Sequence, residues 1–163
     1  MTKQTSRICQ PCSACCDGWV QMVIRDTPVY PGKPCPHSTG GGCDDYENRP
    51  EDPCHHFNCG WILDNSPLPL WMKPDNGKVI VLFNKFTWNG SGVDLAVPVG
   101  RRIPPRALNW LKGFSSEHRR PLVYTEQVIV DGVYQKQQEL IGYGPPAFQE
   151  DMRLFRSQGK RLW

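Results

Sequence analysis

Eight cysteines stand within the first 59 positions of this 163-residue chain, and none follows. They are Cys9, Cys12, Cys15, Cys16, Cys35, Cys43, Cys54 and Cys59. Cysteines crowded in this way serve either a disulfide framework or a metal site. Disulfides need an oxidising compartment. No charged, apolar, small-residue leader opens the chain, so the expected location is cytoplasmic. The run Cys9-x2-Cys12-x2-Cys15 lets successive thiolates converge on one centre from short loops. Disulfides inside so tight a run would be strained, because the Cβ vectors rarely meet the required geometry. Metal chelation is therefore the expected use of these thiols.

The charge balance agrees weakly. Residues 1–60 hold five Lys and Arg against seven Asp and Glu, before any thiolate forms. Eight thiolates would add repulsion that bound cations relieve.

The cysteines come in a fixed order of motifs. Cys9-Gln-Pro-Cys12-Ser-Ala-Cys15-Cys16 is followed by Lys33-Pro-Cys35-Pro-His37 and the glycine-rich Gly40-Gly-Gly-Cys43. Asp45-Tyr46-Glu47-Asn48-Arg49-Pro50 and Cys54-His-His-Phe57-Asn-Cys59-Gly-Trp61 come next. This order resembles the CxxCxxCC cysteine-cluster family, described as zinc- or iron-chelating proteins of the YkgJ type. The resemblance covers roughly residues 9–61 and implies metal binding, as zinc or as iron–sulfur. It implies no settled activity. The flagellin lysine methylases carry a similar motif, but no cofactor-binding pattern here extends that activity to this chain.

Zinc favours a tetrahedron of four ligands, with thiolate and imidazole preferred. Eight cysteines divide into two four-thiolate sites without remainder. The side chains of adjacent Cys15 and Cys16 point apart, so they serve two ions more easily than one. About two close zinc ions are the favoured expectation. An iron–sulfur cluster is a close second, because Cys9, Cys12, Cys15 and Cys35-Pro36 match a [4Fe–4S] ligand pattern. Thiolate alone does not separate the two metals. His37, His55 and His56 sit among the cysteines and are expected to support the site rather than ligate. Arg49 either screens the thiolate charge or joins Tyr46 and Pro50 in a packed turn; both readings stand.

The rest of the chain reads as a different kind of polymer. Polar residues 1–8 are expected to fray. Residues 19–24 read as a short strand and 26–60 as loops that metal must order. Pro67, Pro69 and Pro74 mark an extended linker. Strands are expected over 78–87 and 93–99, and a helix opened by Pro104-Pro105 over 105–117. Asp131-Gly132 is a hairpin signal between strands 122–130 and 133–143, and a last helix covers 147–157. The expected class is α+β. A loop-rich cysteine-cluster region, 9–61, packs as one compact unit with a small antiparallel sheet and helices over 75–163.

Several functions are excluded at this stage. The longest apolar run in the centre, 79–83, is far short of the roughly 20 residues a bilayer span needs. No phosphate-loop, dinucleotide, zinc-protease or serine-elbow motif is present. A zinc held by four cysteines leaves no position open for water, so catalysis there is not expected. A net charge of +3 is too small to argue for nucleic acid. Residues 61–163 carry 14 Lys and Arg against nine Asp and Glu. The clusters Arg101-Arg102, Arg106, Arg119-Arg120 and Arg153, Arg156, Lys160, Arg161 read first as a solvated face. Their other reading is a surface for an acidic protein partner or nucleic acid.

Overall fold

The computed structural model describes residues 7–159. A two-stranded antiparallel hairpin, β1 (Met22–Ile24) and β2 (Thr27–Val29), stands in the cysteine region. A single helical turn, α1 (Pro74–Gly77), leads into β3 (Val79–Trp88) and β4 (Ser91–Pro98). Helix α2 (Pro105–His118), strands β5 (Leu122–Val130) and β6 (Val133–Tyr143), and helix α3 (Pro146–Ser157) complete the chain. The class is α+β, as expected, and the strand and helix order over the second half follows the sequence reading.

Turn chemistry explains two of the hairpins. β3 and β4 join through Asn89-Gly90, and β5 and β6 through Asp131-Gly132. All four turn residues have positive φ, between +48° and +78°. That is the backbone of the tight turn whose twist matches paired strands. Proline at the first helical turn of α2 and α3 fixes φ where the missing N–H is no loss.

The larger sheet has the order β3-β4-β5-β6, and it is mixed rather than uniformly antiparallel. β4 and β5 run parallel, Asp94 beside Leu122 and Ala96 beside Tyr124. The reason is α2: a helix between two neighbouring strands returns the chain to the same end of the sheet. Both faces of the sheet are covered, so β3 and β4 alternate between two cores. Ile80, Leu82, Leu95, Val97 and Val123 face one side, with Phe148 of α3 and Ala14 and Val20 of the cysteine region. Val79, Val81, Ala96 and Leu122 face the other, with Ala107 and Leu111 of α2 and with Trp61, Leu68 and Met72. Each such side chain contributes roughly 1.5–3 kcal/mol when fully buried. The cysteine region and the sheet therefore share the first of these cores.

The proline-marked stretch is folded rather than extended. It forms a 3-10 turn, Leu70–Met72, followed by α1, and buries Leu68 and Met72. Leu68 and Met72 supply the apolar surface that holds the turns in place. The expected fraying of residues 1–8 is corrected at Arg7; residues 1–6 lie outside the described residues. Arg7 donates to the carbonyls of Trp61 (2.8 Å) and Leu68 (2.6 Å), and its guanidinium lies over the Trp61 ring. Lys73 covers the same ring and donates to the Gln10 carbonyl at 3.0 Å. Among the described residues no helix is long and apolar enough to cross a membrane.

Candidate metal centre

All eight cysteines line one cavity of about 400 Å3, and all are free thiols. Ile80 at the start of β3 forms part of its wall, with Met22 and Ile24 of β1 and Phe57 and Ile62. The loops that carry the thiols are tied to one another by backbone bonds. Cys12 N–H donates to the Cys9 carbonyl at 3.0 Å, and Cys35 N–H to the Cys16 carbonyl at 2.7 Å. Ser38 N–H donates to the Cys35 carbonyl at 2.9 Å, and Ser38 forms an isolated bridge with Cys43. Gly60 N–H donates to the Val81 carbonyl at 2.6 Å, which sets Cys59 against β3.

Among the described residues, no group of three or more His, Cys, Asp or Glu side chains is drawn into a geometry that holds a metal ion. The thiols share the cavity wall without being gathered on a point.

Their mutual electrostatics shows which thiols are neighbours, because each thiolate raises the pKa of the next. Burial pushes Cys9 up, and Cys59 and Cys16 add to it. Burial likewise raises Cys12, with contributions from Asp75 and Cys9. Cys59 is raised by burial first and then by Cys12. Cys15 is held well above the ordinary thiol range by its hydrogen bond to Cys16, by burial, and by Cys16, Cys9 and Cys12. Burial raises Cys54, and Cys16, Cys35 and Cys43 raise it further. These influences link Cys9 with Cys12, Cys15 and Cys59, and Cys54 with Cys16, Cys35 and Cys43. The two groups adjoin at Cys15 and Cys16, and Cys9 also feels Cys16. The first group rests on the sheet, where Cys12 and Cys59 pack against the core. The second rests on the hairpin, where Cys16, Cys35 and Cys54 pack with Ile24 and Val29.

The donor set fits a soft or borderline ion. Eight thiols in one cavity, flanked by arginine, suit zinc or iron–sulfur and disfavour a hard oxygen-seeking cation.

The supporting residues divide. His37, Tyr46, Arg49 and His55 line the cavity, while His56 is exposed and outside the lining. Arg25 donates from Nη1 to His37 Nε2 at 2.6 Å, and His37 Nδ1 meets Asp44 at 2.8 Å. Arginine cannot accept a hydrogen bond, so Nε2 must be the acceptor and the ring proton sits on Nδ1. That leaves neither His37 nitrogen free for a metal. Arg49 Nε donates to the Tyr46 carbonyl at 2.9 Å, and its guanidinium carbon lies 3.5 Å from the centre of the Tyr46 ring. The packed turn and the cation beside the thiols are the same object.

Arg7 and Arg25 also line the cavity, and sequence reasoning missed both. Neither sits in a spaced motif. Arg25 is placed by the hairpin turn, where it and Asp26 take φ of +49° and +61°. Such a backbone is costly outside glycine, asparagine and aspartate. The bonds from Arg25 to Asp45 (2.9 Å), to the Asn48 carbonyl (2.8 Å) and to His37 offset that cost.

The basic clusters of the second half are largely paired. Arg102 meets Glu126, Arg153 meets Glu150, Arg156 meets Glu139 and Arg120 meets Asp94. Arg106 lies over the Trp71 ring at 4.0 Å. Lys160 and Arg161 lie outside the described residues.

No family model, no curated protein and no solved structure matches the chain.

Proposed function

We propose that this chain is a cytoplasmic metal-binding protein whose cysteines form two adjoining four-thiolate zinc sites. One site takes Cys9, Cys12, Cys15 and Cys59; the other takes Cys16, Cys35, Cys43 and Cys54. The observation that carries the reading is the convergence of all eight free thiols on one cavity of about 400 Å3. The order of motifs, with its likeness to the CxxCxxCC family, supports it. Zinc held in this way would order the loops and leave no open position for substrate. A role in binding an acidic partner draws little support from the second half, because so many of its arginines already face carboxylates.

The second reading is an iron–sulfur protein with redox or enzymatic use. The apolar wall around Cys12 and Cys59, built by Phe57, Ile62 and Ile80, favours it. A buried, weakly solvated set of thiolates is the setting in which cluster potentials are tuned. A metal trafficking or storage module is a third reading, and it requires that a mild chelator strip the metal readily.

Elemental analysis with a visible absorption spectrum, on protein purified without oxygen, decides among them. About two zinc ions per chain and no colour support the zinc reading. Iron with sulfide and a broad visible band support the second. Protein that carries neither metal, and takes up neither when reduced and supplied with it, overturns metal binding.

A further inference from the structure

Three arginines line the thiol cavity, and they are not equivalent. Arg7 spends its donors on the Trp61 and Leu68 carbonyls. Arg25 spends its own on Asp45, His37 and the Asn48 carbonyl. Arg49 donates only through Nε, to the Tyr46 carbonyl. Among the described residues its two Nη groups meet no acceptor and no carboxylate. The carboxylate that lines the cavity, Asp45, is already taken by Arg25. The Tyr46 ring, 3.5 Å beneath, fixes the plane of the guanidinium. A permanently charged group is thereby held at a thiol-lined wall without a counter-ion among the described residues.

We propose that Arg49 is the built-in counter-charge of the cavity, a positioning residue that serves both cysteine groups at once. It lines the same cavity as Cys9 of one group and Cys16 and Cys54 of the other. The purpose rests on the metal-binding reading. A divalent ion held by four thiolates keeps a net charge of about −2, so two adjoining centres repel each other. A cation that reaches both groups lowers that repulsion. Supporting residues of this kind are worth roughly 10–100-fold in metal affinity. The charge itself exists whether or not metal is bound, so it can be tested separately.

The test uses the whole protein in two forms. In the reduced, metal-free form, the thiols are reacted with an anionic aromatic disulfide and with a neutral one, and the ratio of the two rates is taken. The ratio cancels differences in thiolate content and reads the local field. Arg49→Gln should lower the ratio several-fold, and Arg49→Lys should keep it near that of the wild type. In the zinc-loaded form, Arg49→Gln should give up zinc at about tenfold lower chelator concentration, again with rescue by lysine. An unchanged rate ratio in Arg49→Gln overturns the proposal. If that variant does not fold, the wild type decides: the preference for the anionic reagent must shrink as salt rises, and a salt-independent ratio overturns the proposal. A wild-type protein that takes up no metal overturns the metal reading alone, since the rate ratio still decides the role of Arg49.

Discussion

The sulfurs of Cys15 and Cys16, adjacent side chains expected to point apart, lie 4.0 Å apart, within reach of an S–H···S hydrogen bond. The hydrogen bond from Cys15 brings its neighbour down to about 7, while Cys15 itself is held well above the ordinary thiol range. The pair is therefore asymmetric, Cys16 giving up its proton more readily than Cys15, at the point where the two cysteine groups meet.

A pH-resolved labelling experiment follows from that asymmetry. In the reduced, metal-free protein, a neutral alkylating agent should modify Cys16 first, with a rate that rises through pH of about 7. Cys9, Cys12, Cys54 and Cys59 are all raised and should react only at higher pH. Because ligands must shed protons to bind, metal retention should weaken as pH falls from 8 toward 6, about where the Cys16 thiolate is lost. Peptide mapping by mass spectrometry at several pH values checks the order. First labelling at Cys9 or Cys12 would falsify the asymmetry of the pair.

The proposed grouping of thiols predicts the metal load of serine variants. Cys12→Ser should lose about one of two ions, and Cys54→Ser the other. Cys12→Ser combined with Cys59→Ser should still lose about one, because both belong to the same group. Cys12→Ser combined with Cys54→Ser should lose both. Native mass spectrometry counts the ions. If Cys12→Ser keeps its full metal content and its thermal midpoint, Cys12 is not a ligand.

Gly60 is the hinge between the centre and the sheet. A Cβ there would lie 2.8 Å from the Phe83 ring and 2.9 Å from the Val81 carbonyl. Gly60→Ala should cost about 1–3 kcal/mol by overpacking, and it should disturb the group that contains Cys59. Gly41 faces open space, so Gly41→Ala should change stability by less than about 0.5 kcal/mol. Chemical denaturation of both variants gives the comparison. Equal stabilities would show that the close approach at Gly60 is relieved at no cost.

Asp94 is buried in β4, and both its oxygens accept from Arg120, at 2.6 Å and 2.8 Å, while Asn84 N–H donates at 2.9 Å. Arg120→Met would leave that carboxylate buried beside a single donor, at a cost of about 3 kcal/mol. Asp94→Asn with Arg120→Met should be milder than the single change, since it removes the stranded charge. Thermal unfolding of the single and double variants measures the difference. A double variant less stable than Arg120→Met would mean that the pair is not the source of the loss.

The second half was legible because its signals are local. Val-Ile-Val-Leu-Phe reads as a strand buried on both faces, and Asp131-Gly132 allows one kind of turn. Helix α2 lies between a proline that opens it and Arg119, whose φ of +52° ends it. The parallel pairing of β4 and β5 was not legible, because strand–helix–strand order fits more than one sheet. The hairpin of β1 and β2 was hidden for the opposite reason. Its turn is Arg25-Asp26, and arginine does not advertise a left-handed turn; long-range bonds to Asp45 and Asn48 hold it. In the site, cysteine spacing identified the thiols as a set but not their grouping. Cys59 lies against β3 because Gly60 is bonded to Val81, a contact between residues that no local pattern connects. Arg25 was missed for the same reason that its hairpin was.

The wall at Ile80 also suggests an order of assembly. β3 to β6 grow from tight hairpins and one helical crossover, contacts close in sequence that form early in folding. The cysteine loops have few apolar residues of their own to nucleate on. The sheet can therefore serve as a mould, with its Ile80 face waiting for the thiol-bearing loops to be laid against it. On the metal-binding reading, an ion that arrives afterwards would close a vessel whose back is already standing. Such a chain should pass from empty to loaded by tightening its amino-terminal third, without having to fold from the beginning each time.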